Sequence, residues 1–173
     1  SKASLAPPVD RLPRVTIRLR NKTWRLRVLL SYFARLRLDH MLPGVALFHA
    51  TDYLLPSFSR VRSLFSLHDL AFRVYPETLT PLNRWFLTIM MPCYLRNADL
   101  VTALSHCTQR DAVRFYGVDE AKLRVVYPGV SRHFSPVERS QVELTRQKYG
   151  LPQSFFLFVG TIEPRTNLET LVH

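Results

Sequence analysis

Cysteine is scarce in this chain of 173 residues, which contains only Cys93 and Cys107. Two isolated cysteines form no disulfide framework, and neither lies in a paired metal-ligand spacing. Long apolar runs are also missing, since none approaches the ~20 residues that span a bilayer, and the first residues lack the apolar core of a signal peptide. These absences favour a reducing, cytoplasmic location. The chain stops inside the predicted opening of a helix, so we expect a fragment of a longer protein.

Acidic residues are few as well: the chain contains 13 Asp and Glu and 24 Lys and Arg, which gives a formal net charge of +11. Ten of the basic residues and only two aspartates fall in the first forty positions, which therefore carry +8 of the total. With 47 % apolar and 21 % charged residues, the composition is still that of a globular chain with a core.

The basic stretch includes a predicted helix over residues 24–38. Its predicted apolar face consists of Leu26, Leu29, Leu30, Phe33 and Leu36, and its opposite face of Arg27, Ser31 and Arg35. One interpretation is a surface helix with solvated arginines. A second is a surface for anionic phospholipid head groups or a phosphorylated acceptor, which would place the protein at the inner face of a membrane. Nucleic acid is disfavoured, because no recognition-helix, zinc-finger or aromatic RNA-binding signature is present.

Apolar strand-like runs alternate with helical patterns beyond residue 14. We predict strands at residues 15–20, 45–50, 63–67, 99–104, 122–127 and 154–159, and further helices at residues 81–96, 108–116 and 138–149. Ser105 is expected to cap the third of the four helices, and Gly117 to end it. This alternation predicts an α/β, Rossmann-like parallel sheet with helices on both faces and with ligands at the carboxyl ends of its strands.

A phosphate site is a first candidate at these strand ends. Gly160 and Thr161 follow an apolar run, and Thr166 precedes a helix start whose free N–H groups suit an anion. Arg165 adds a charge-assisted donor to a diphosphate. An ordinary strand-to-helix turn is the alternative, and the nearby carboxylate of Glu163 has the wrong charge for an anion site.

His68 and Asp69 are a second candidate, because they follow an apolar strand. A histidine there can orient a substrate hydroxyl or donate to a developing charge. A metal-dependent phosphohydrolase site is disfavoured, since that His-Asp pair belongs to a helical fold. A buried or capping histidine, with Asp69 starting a turn, is the structural alternative. A serine hydrolase triad is rejected because no Gly-x-Ser-x-Gly surrounds Ser66 or Ser105.

Seven motifs occur in one series along the chain: FHATDYLLP (48–56), LHDLAF (67–72), YPE (75–77), RNADLVTALS (96–105), VVYPGV (125–130), FSP (134–136) and FVGTIEPRTNL (158–168). From about residue 45 onward, their order and spacing resemble retaining glycosyltransferases of family 4. The resemblance implies the GT-B fold, with residues 1–134 as a partial acceptor-side domain and residues 135–173 as the start of the nucleotide-sugar domain.

The resemblance also implies an activity and roles for residues. It implies transfer of a sugar from a nucleotide-sugar donor to a glycan or lipid-linked acceptor, with no cofactor and no metal. His68 matches the family's histidine near the transferred sugar. Diphosphate binding is implied for Gly160, Thr161, Arg165 and Thr166, and an acceptor-side position for Asp52, Tyr53 and Asp69.

Two departures from the family pattern stand out. Thr166 replaces the lysine of the usual Glu-Pro-Arg-Lys-Asn-Leu, and a hydroxyl supplies a hydrogen bond but no charge. The family's Glu-x7-Glu pair lies beyond the end of this chain. A non-catalytic sugar- or nucleic-acid-binding domain with a degenerate donor site is therefore the alternative function, and a phosphorylase of the same fold is a further one.

Overall fold

A four-stranded parallel sheet forms the centre of the molecule. The computed structural model describes residue 16, residues 18–163 and residues 166–172. The strands are β1 (Leu47–Ala50), β2 (Arg62–Leu67), β3 (Leu100–Ala103) and β4 (Leu123–Val125), and they lie side by side in that order. The predicted α/β, Rossmann-like parallel sheet is thus confirmed.

Helices precede, connect and follow the strands. They are α1 (Asn21–Phe33) before β1, α2 (Ala71–Val74) and α3 (Pro81–Asn97) between β2 and β3, α4 (His106–Tyr116) between β3 and β4, and α5 (Arg139–Tyr149) and α6 (Leu168–Val172) after β4. Short 3-10 turns lie at Asp39–Met41, Pro76–Thr78 and Glu120–Lys122.

Helix α4 shows how local sequence sets an element's ends. The Ser105 hydroxyl accepts a hydrogen bond from the Thr108 N–H at 3.1 Å, which satisfies one free donor of the first turn. Gly117 ends the helix with φ at +60°, a conformation that costs glycine little. Both boundaries agree with the sequence prediction.

The core lies on one face of the sheet. The strand register places Ala50, Phe65 and Val101 on that face, and all three are buried. Tyr94 of α3 packs its ring 5.6 Å from Phe65, and Tyr32 of α1 packs 5.7 Å from Tyr94, measured between ring centroids. Both α1 and α3 therefore contribute aromatic rings to the core beside β2.

The opposite face carries a chain of polar side chains across three strands. His49 Nε2 lies 2.8 Å from Ser66 Oγ, which lies 3.1 Å from Thr102 Oγ1. These contacts satisfy the buried hydroxyl of Ser66.

The packed face of helix α1 differs in part from the one predicted, although Leu29 packs against the core as expected. Val28 and Ser31 are buried, whereas Leu26 and Phe33 are exposed. A serine can be buried at position 31 because its hydroxyl is fully hydrogen-bonded: Oγ donates to the Val28 carbonyl at 2.6 Å and accepts the Ser57 N–H at 3.0 Å. The helix also ends at Phe33, five residues before the predicted end.

Two predicted strands are not observed. Of residues 15–20, positions 15 and 17 lie outside the described residues, and 16 and 18–20 form no strand. Residues 154–159 form no strand either, and the side chain of Phe156 is 87 % exposed. A strand requires a hydrogen-bonded neighbour, and the described part of the chain provides none for this run.

Within the described residues, no helix combines the length and the apolar character needed to cross a membrane.

Candidate functional site

The carboxyl ends of β1 and β2 bring three predicted site residues together. Tyr53 follows β1, while His68 and Asp69 follow β2, and adjacent parallel strands end at the same edge of a sheet. The rings of Tyr53 and His68 lie 5.8 Å apart, and the Tyr53 hydroxyl donates to the Asp69 carbonyl at 3.3 Å. We call Tyr53, His68 and Asp69 the strand-edge group.

His68 is exposed, but its ring is held in one orientation. Its Nε2 lies 2.8 Å from the carbonyl oxygen of Thr51. Because a carbonyl only accepts, Nε2 must carry the proton and donate it. The Thr108 hydroxyl of α4 donates to the His68 carbonyl at 3.3 Å and fixes the backbone as well. The neutral ring therefore has an unprotonated Nδ1 to accept a hydrogen bond from a substrate hydroxyl.

Asp69 lies two residues before the start of α2. Its Oδ1 accepts the N–H of Ala71 at 2.9 Å, and its own N–H donates to the Tyr53 hydroxyl at 3.2 Å. The Ala71 contact agrees with the interpretation in which Asp69 starts a turn, and it supports the backbone next to His68. Asp52 acts locally too, since its Oδ1 accepts the Tyr53 N–H at 2.7 Å.

Three contacts at this edge were not predicted from the sequence. The Thr51 carbonyl carries no side-chain signal, and Thr108 is indistinguishable from any other residue in the first turn of a helix. At the ends of β3 and β4, the rings of His106 and Tyr127 meet edge to face with centroids 6.1 Å apart. The placement of both aromatic residues directly after apolar strands is the signal that would have paired them.

The predicted donor-binding residues have contacts within their own segment. Thr166 Oγ1 donates to the Glu163 carbonyl at 2.7 Å, and the Thr166 N–H donates to the same oxygen at 3.0 Å. Gly160 lies against the ring of Phe158, where an added Cβ would come within 2.8 Å. Thr161 is exposed, and Arg165 lies outside the described residues. Gly160 and Thr166 thus contact Phe158 and Glu163, two residues of the same segment.

The carboxyl groups with lowered pKa lie at the amino end of the sheet. Partial desolvation raises the pKa of Asp39, but hydrogen bonds from the backbone N–H groups of residues 59–61 outweigh it and lower the pKa to about 2. For Asp99, desolvation is outweighed by hydrogen bonds from Ser63 and by Arg62, which lies 2.8 Å away, so its pKa is also lowered. These charges hold β2 in place. The described residues contain no cluster of three His, Cys, Asp or Glu side chains arranged to hold a metal ion.

Comparison with known proteins gives one family. The model of Glycosyltransferase Family 4 matches residues 2–134. Two relatives from Escherichia coli, both named serotype-specific mannosyltransferase WbdA, are 27 % identical to this chain over 78 residues. The matched stretch covers 44 % of this chain and only 10 % and 9 % of the two relatives.

Proposed function

Because this chain belongs to glycosyltransferase family 4, we propose that it forms the acceptor-side part of an enzyme that transfers a sugar from a nucleotide-sugar donor to a glycan or lipid-linked acceptor with retention of configuration. Residues 1–134 form the acceptor-side domain in this proposal, and residues 135–173 begin the donor-side domain. Mannose is the first sugar to test, because the two matched relatives are named mannosyltransferases. The proposal includes neither a metal nor a cofactor.

The orientation of His68 carries this proposal. With Nε2 bonded to the Thr51 carbonyl, Nδ1 is the ring atom that meets the substrate. It accepts a hydrogen bond from a hydroxyl of the transferred sugar and so positions the anomeric carbon. Tyr53 and Asp69 stabilise the loop beside it and border the acceptor, as does Asp52.

The departing diphosphate needs donors where negative charge develops. In this proposal, Gly160 and Thr161 supply backbone N–H groups and Arg165 supplies the positive charge. Thr166 contributes through its position at the start of α6 rather than through its hydroxyl, which is bonded to the Glu163 carbonyl.

The test measures sugar transfer from a panel of nucleotide sugars, including nucleotide-activated mannose, by the complete protein that carries this sequence. His68→Ala should lower kcat/KM by about 100-fold or more, the usual contribution of a positioned histidine. His40→Ala is the matched control, because His40 is also exposed but lies in the turn before β1. Transfer by His68→Ala at the wild-type rate would remove His68 from the mechanism.

A non-catalytic binding domain is the second candidate, favoured by Thr166 where the family has lysine. It predicts that calorimetry detects sugar binding while no donor in the panel supports transfer. Transfer with any one donor would exclude it.

A further inference from the structure

Two adjacent helices of this molecule contain no carboxylate. Residues 18–38, which include α1, carry seven basic side chains and no Asp or Glu. Helix α3 carries Arg84 and Arg96, again with no acidic residue. The two helices are neighbours, since Arg25 of α1 donates to Asn83 Oδ1 of α3 at 2.8 Å. Both helices therefore contribute only positive charge to this surface, and Glu77, from the turn before α3, lines a separate cavity together with Arg84 and Trp85.

The same surface exposes large apolar side chains. Leu26 of α1 is 54 % exposed, and Leu82 and Trp85 of α3 are 66 % and 55 % exposed. Leu82 and Trp85 are three residues apart, so they share one face of α3. An apolar stripe beside cations on a helix is typical of proteins that bind at a membrane interface, where tryptophan is also favoured.

A groove of about 510 Å³ separates the first turns of the two helices. Its lining includes Lys22, Arg25, Leu26, Leu29, Leu82 and Phe86, and no carboxylate lines it. The Arg25 guanidinium lies 5.3 Å from the centre of the Phe86 ring, and its Nε is buried without a hydrogen-bond partner in the described part of the chain. The groove thus combines apolar walls with fixed positive charge, which fits a lipid phosphate and the first carbons of its chains.

We propose that this part of the molecule docks on an anionic phospholipid bilayer. We call it the α1/α3 surface, and it consists of Lys22, Arg25, Leu26, Leu82, Arg84 and Trp85. The apolar side chains enter the interface, and the cations bind lipid phosphates. Charge complementarity identifies the partner as anionic, and the exposed apolar stripe distinguishes a bilayer from nucleic acid, for which cations alone suffice. The inference does not depend on glycosyl transfer, so either can fail without the other.

Vesicle co-sedimentation of the chain tests the proposal. The chain should bind vesicles of phosphatidylcholine mixed with phosphatidylglycerol, bind pure phosphatidylcholine weakly, and lose affinity as salt is added. Lys22→Gln with Arg84→Gln should lower the affinity by about 25-fold, at roughly fivefold for each cation near an anionic surface. Arg132→Gln, an exposed arginine beyond β4, is the charge control and should bind as the wild type does.

The apolar contribution needs its own variant. Leu82→Ser with Trp85→Ser should lower the affinity about tenfold or more, because both side chains leave water on docking. Leu144→Ser, in an exposed position on α5, is the control. All substituted side chains are exposed, so unchanged melting temperatures should show that the fold is intact.

Trp85 emission should shift to shorter wavelength with anionic vesicles, and Trp85→Phe should abolish the shift.

Three results would overturn the proposal. The first is the absence of binding to anionic vesicles, and the second is equal binding to neutral and anionic ones. The third is full binding by the Leu82→Ser, Trp85→Ser variant together with displacement of the vesicles by RNA or DNA, which would identify a nucleic-acid surface.

Discussion

Two tyrosines in contact, the buried Tyr94 and the partly buried Tyr32, differ in one hydrogen bond. Burial raises the pKa of both Tyr32 and Tyr94, so each hydroxyl stays protonated. Tyr32 donates to the Leu55 carbonyl at 2.9 Å. The Tyr94 hydroxyl is buried with no partner among the described residues. Because an unpaired buried hydroxyl loses its hydration without compensation, the two positions should respond oppositely to its removal.

We expect Tyr94→Phe to raise the free energy of unfolding by up to about 1 kcal/mol, and Tyr32→Phe to lower it by about 1 kcal/mol. Urea denaturation of the two variants beside the wild type measures both changes. Each substitution keeps the ring and its packing against the other, so each serves as the control for the other. A loss of stability in Tyr94→Phe as large as that in Tyr32→Phe would show that the Tyr94 hydroxyl has a partner.

The position of His68 could be predicted from the sequence, but its hydrogen bonding could not. The sequence places His68 after a strand, and the structure confirms that position. The hydrogen bond that orients the His68 ring goes to a backbone carbonyl. Every residue has such a carbonyl, so no pattern in the sequence predicts this bond. An acceptor-side position for Asp69 stays a prediction, and the structure adds that its Oδ1 accepts the Ala71 N–H at the start of α2, a contact that the sequence did not predict.

At the scale of elements, two aspartates hold the start of β2. Asp39 lies in the short turn before β1, and its carboxylate accepts hydrogen bonds from the N–H groups of Ser59, Arg60 and Val61. Asp99, just before β3, accepts the N–H of Ser63 at 2.8 Å. Each carboxylate thus satisfies backbone donors that the strand itself leaves unpaired.

This arrangement predicts an acid-dependent loss of stability. The pKa of Asp39 is about 2 in the folded chain against an ordinary value of 3.8, so its charged form stabilises the fold above that ordinary value. The contribution is lost as the pH falls from about 4 through about 2. Asp39→Asn should therefore be less stable than the wild type at pH 7, and the difference should shrink over this acid range.

Thermal unfolding of the wild type and Asp39→Asn between pH 2 and pH 7 measures this difference. Glu138→Gln is the control, because it also replaces a carboxylate by an amide, but Glu138 is exposed and does not cap α5 through its side chain. A constant difference in melting temperature between Asp39→Asn and the wild type from pH 2 to pH 7 would contradict the lowered pKa of Asp39.

Elements were predicted best where local chemistry alone decides them. Ser105 and Gly117 define α4 in the sequence and in the structure, because capping and left-handed φ are local requirements. The burial of Ser31 on α1 depends on a hydrogen bond from the N–H of Ser57, 26 residues further along the chain. Helical periodicity cannot predict a contact of this kind. Residues 154–159 have the apolar character of a strand, but pairing depends on a neighbour and not on the run itself.

On the scale of the whole molecule, the α1/α3 surface and the strand-edge group lie towards the same end of the sheet. Helix α3 connects two parallel strands, so it starts near the carboxyl end of β2 and returns to the amino end of β3. Leu82 and Trp85 lie in its first turns and are thus near the carboxyl end of the strands, where His68 also lies. A bilayer bound to these helices would hold a lipid-linked acceptor close to the proposed site.

Burial is concentrated in the first part of the chain, and this determines how the molecule should respond to truncation. Beyond Leu123 no described residue is buried, and neither α5 nor α6 contains a buried side chain. Apolar burial provides most of the stability of a fold, so residues 135–173 should add little to it. We expect a chain ending at residue 134 to melt within about 2 °C of the full chain, which corresponds to a change of less than about 0.5 kcal/mol.

Calorimetry of the two chains measures this difference, and limited proteolysis checks it independently. Trypsin should cut first at exposed basic residues after β4, such as Arg132 and Arg139, and leave a resistant product that retains the sheet. As a control, a chain ending at residue 118 lacks β4 and with it the buried side chain of Leu123, and it should melt at a much lower temperature. A large drop in melting temperature for the chain ending at residue 134 would mean that the last segments stabilise the sheet, and residues 1–134 would then not be a separate acceptor-side domain.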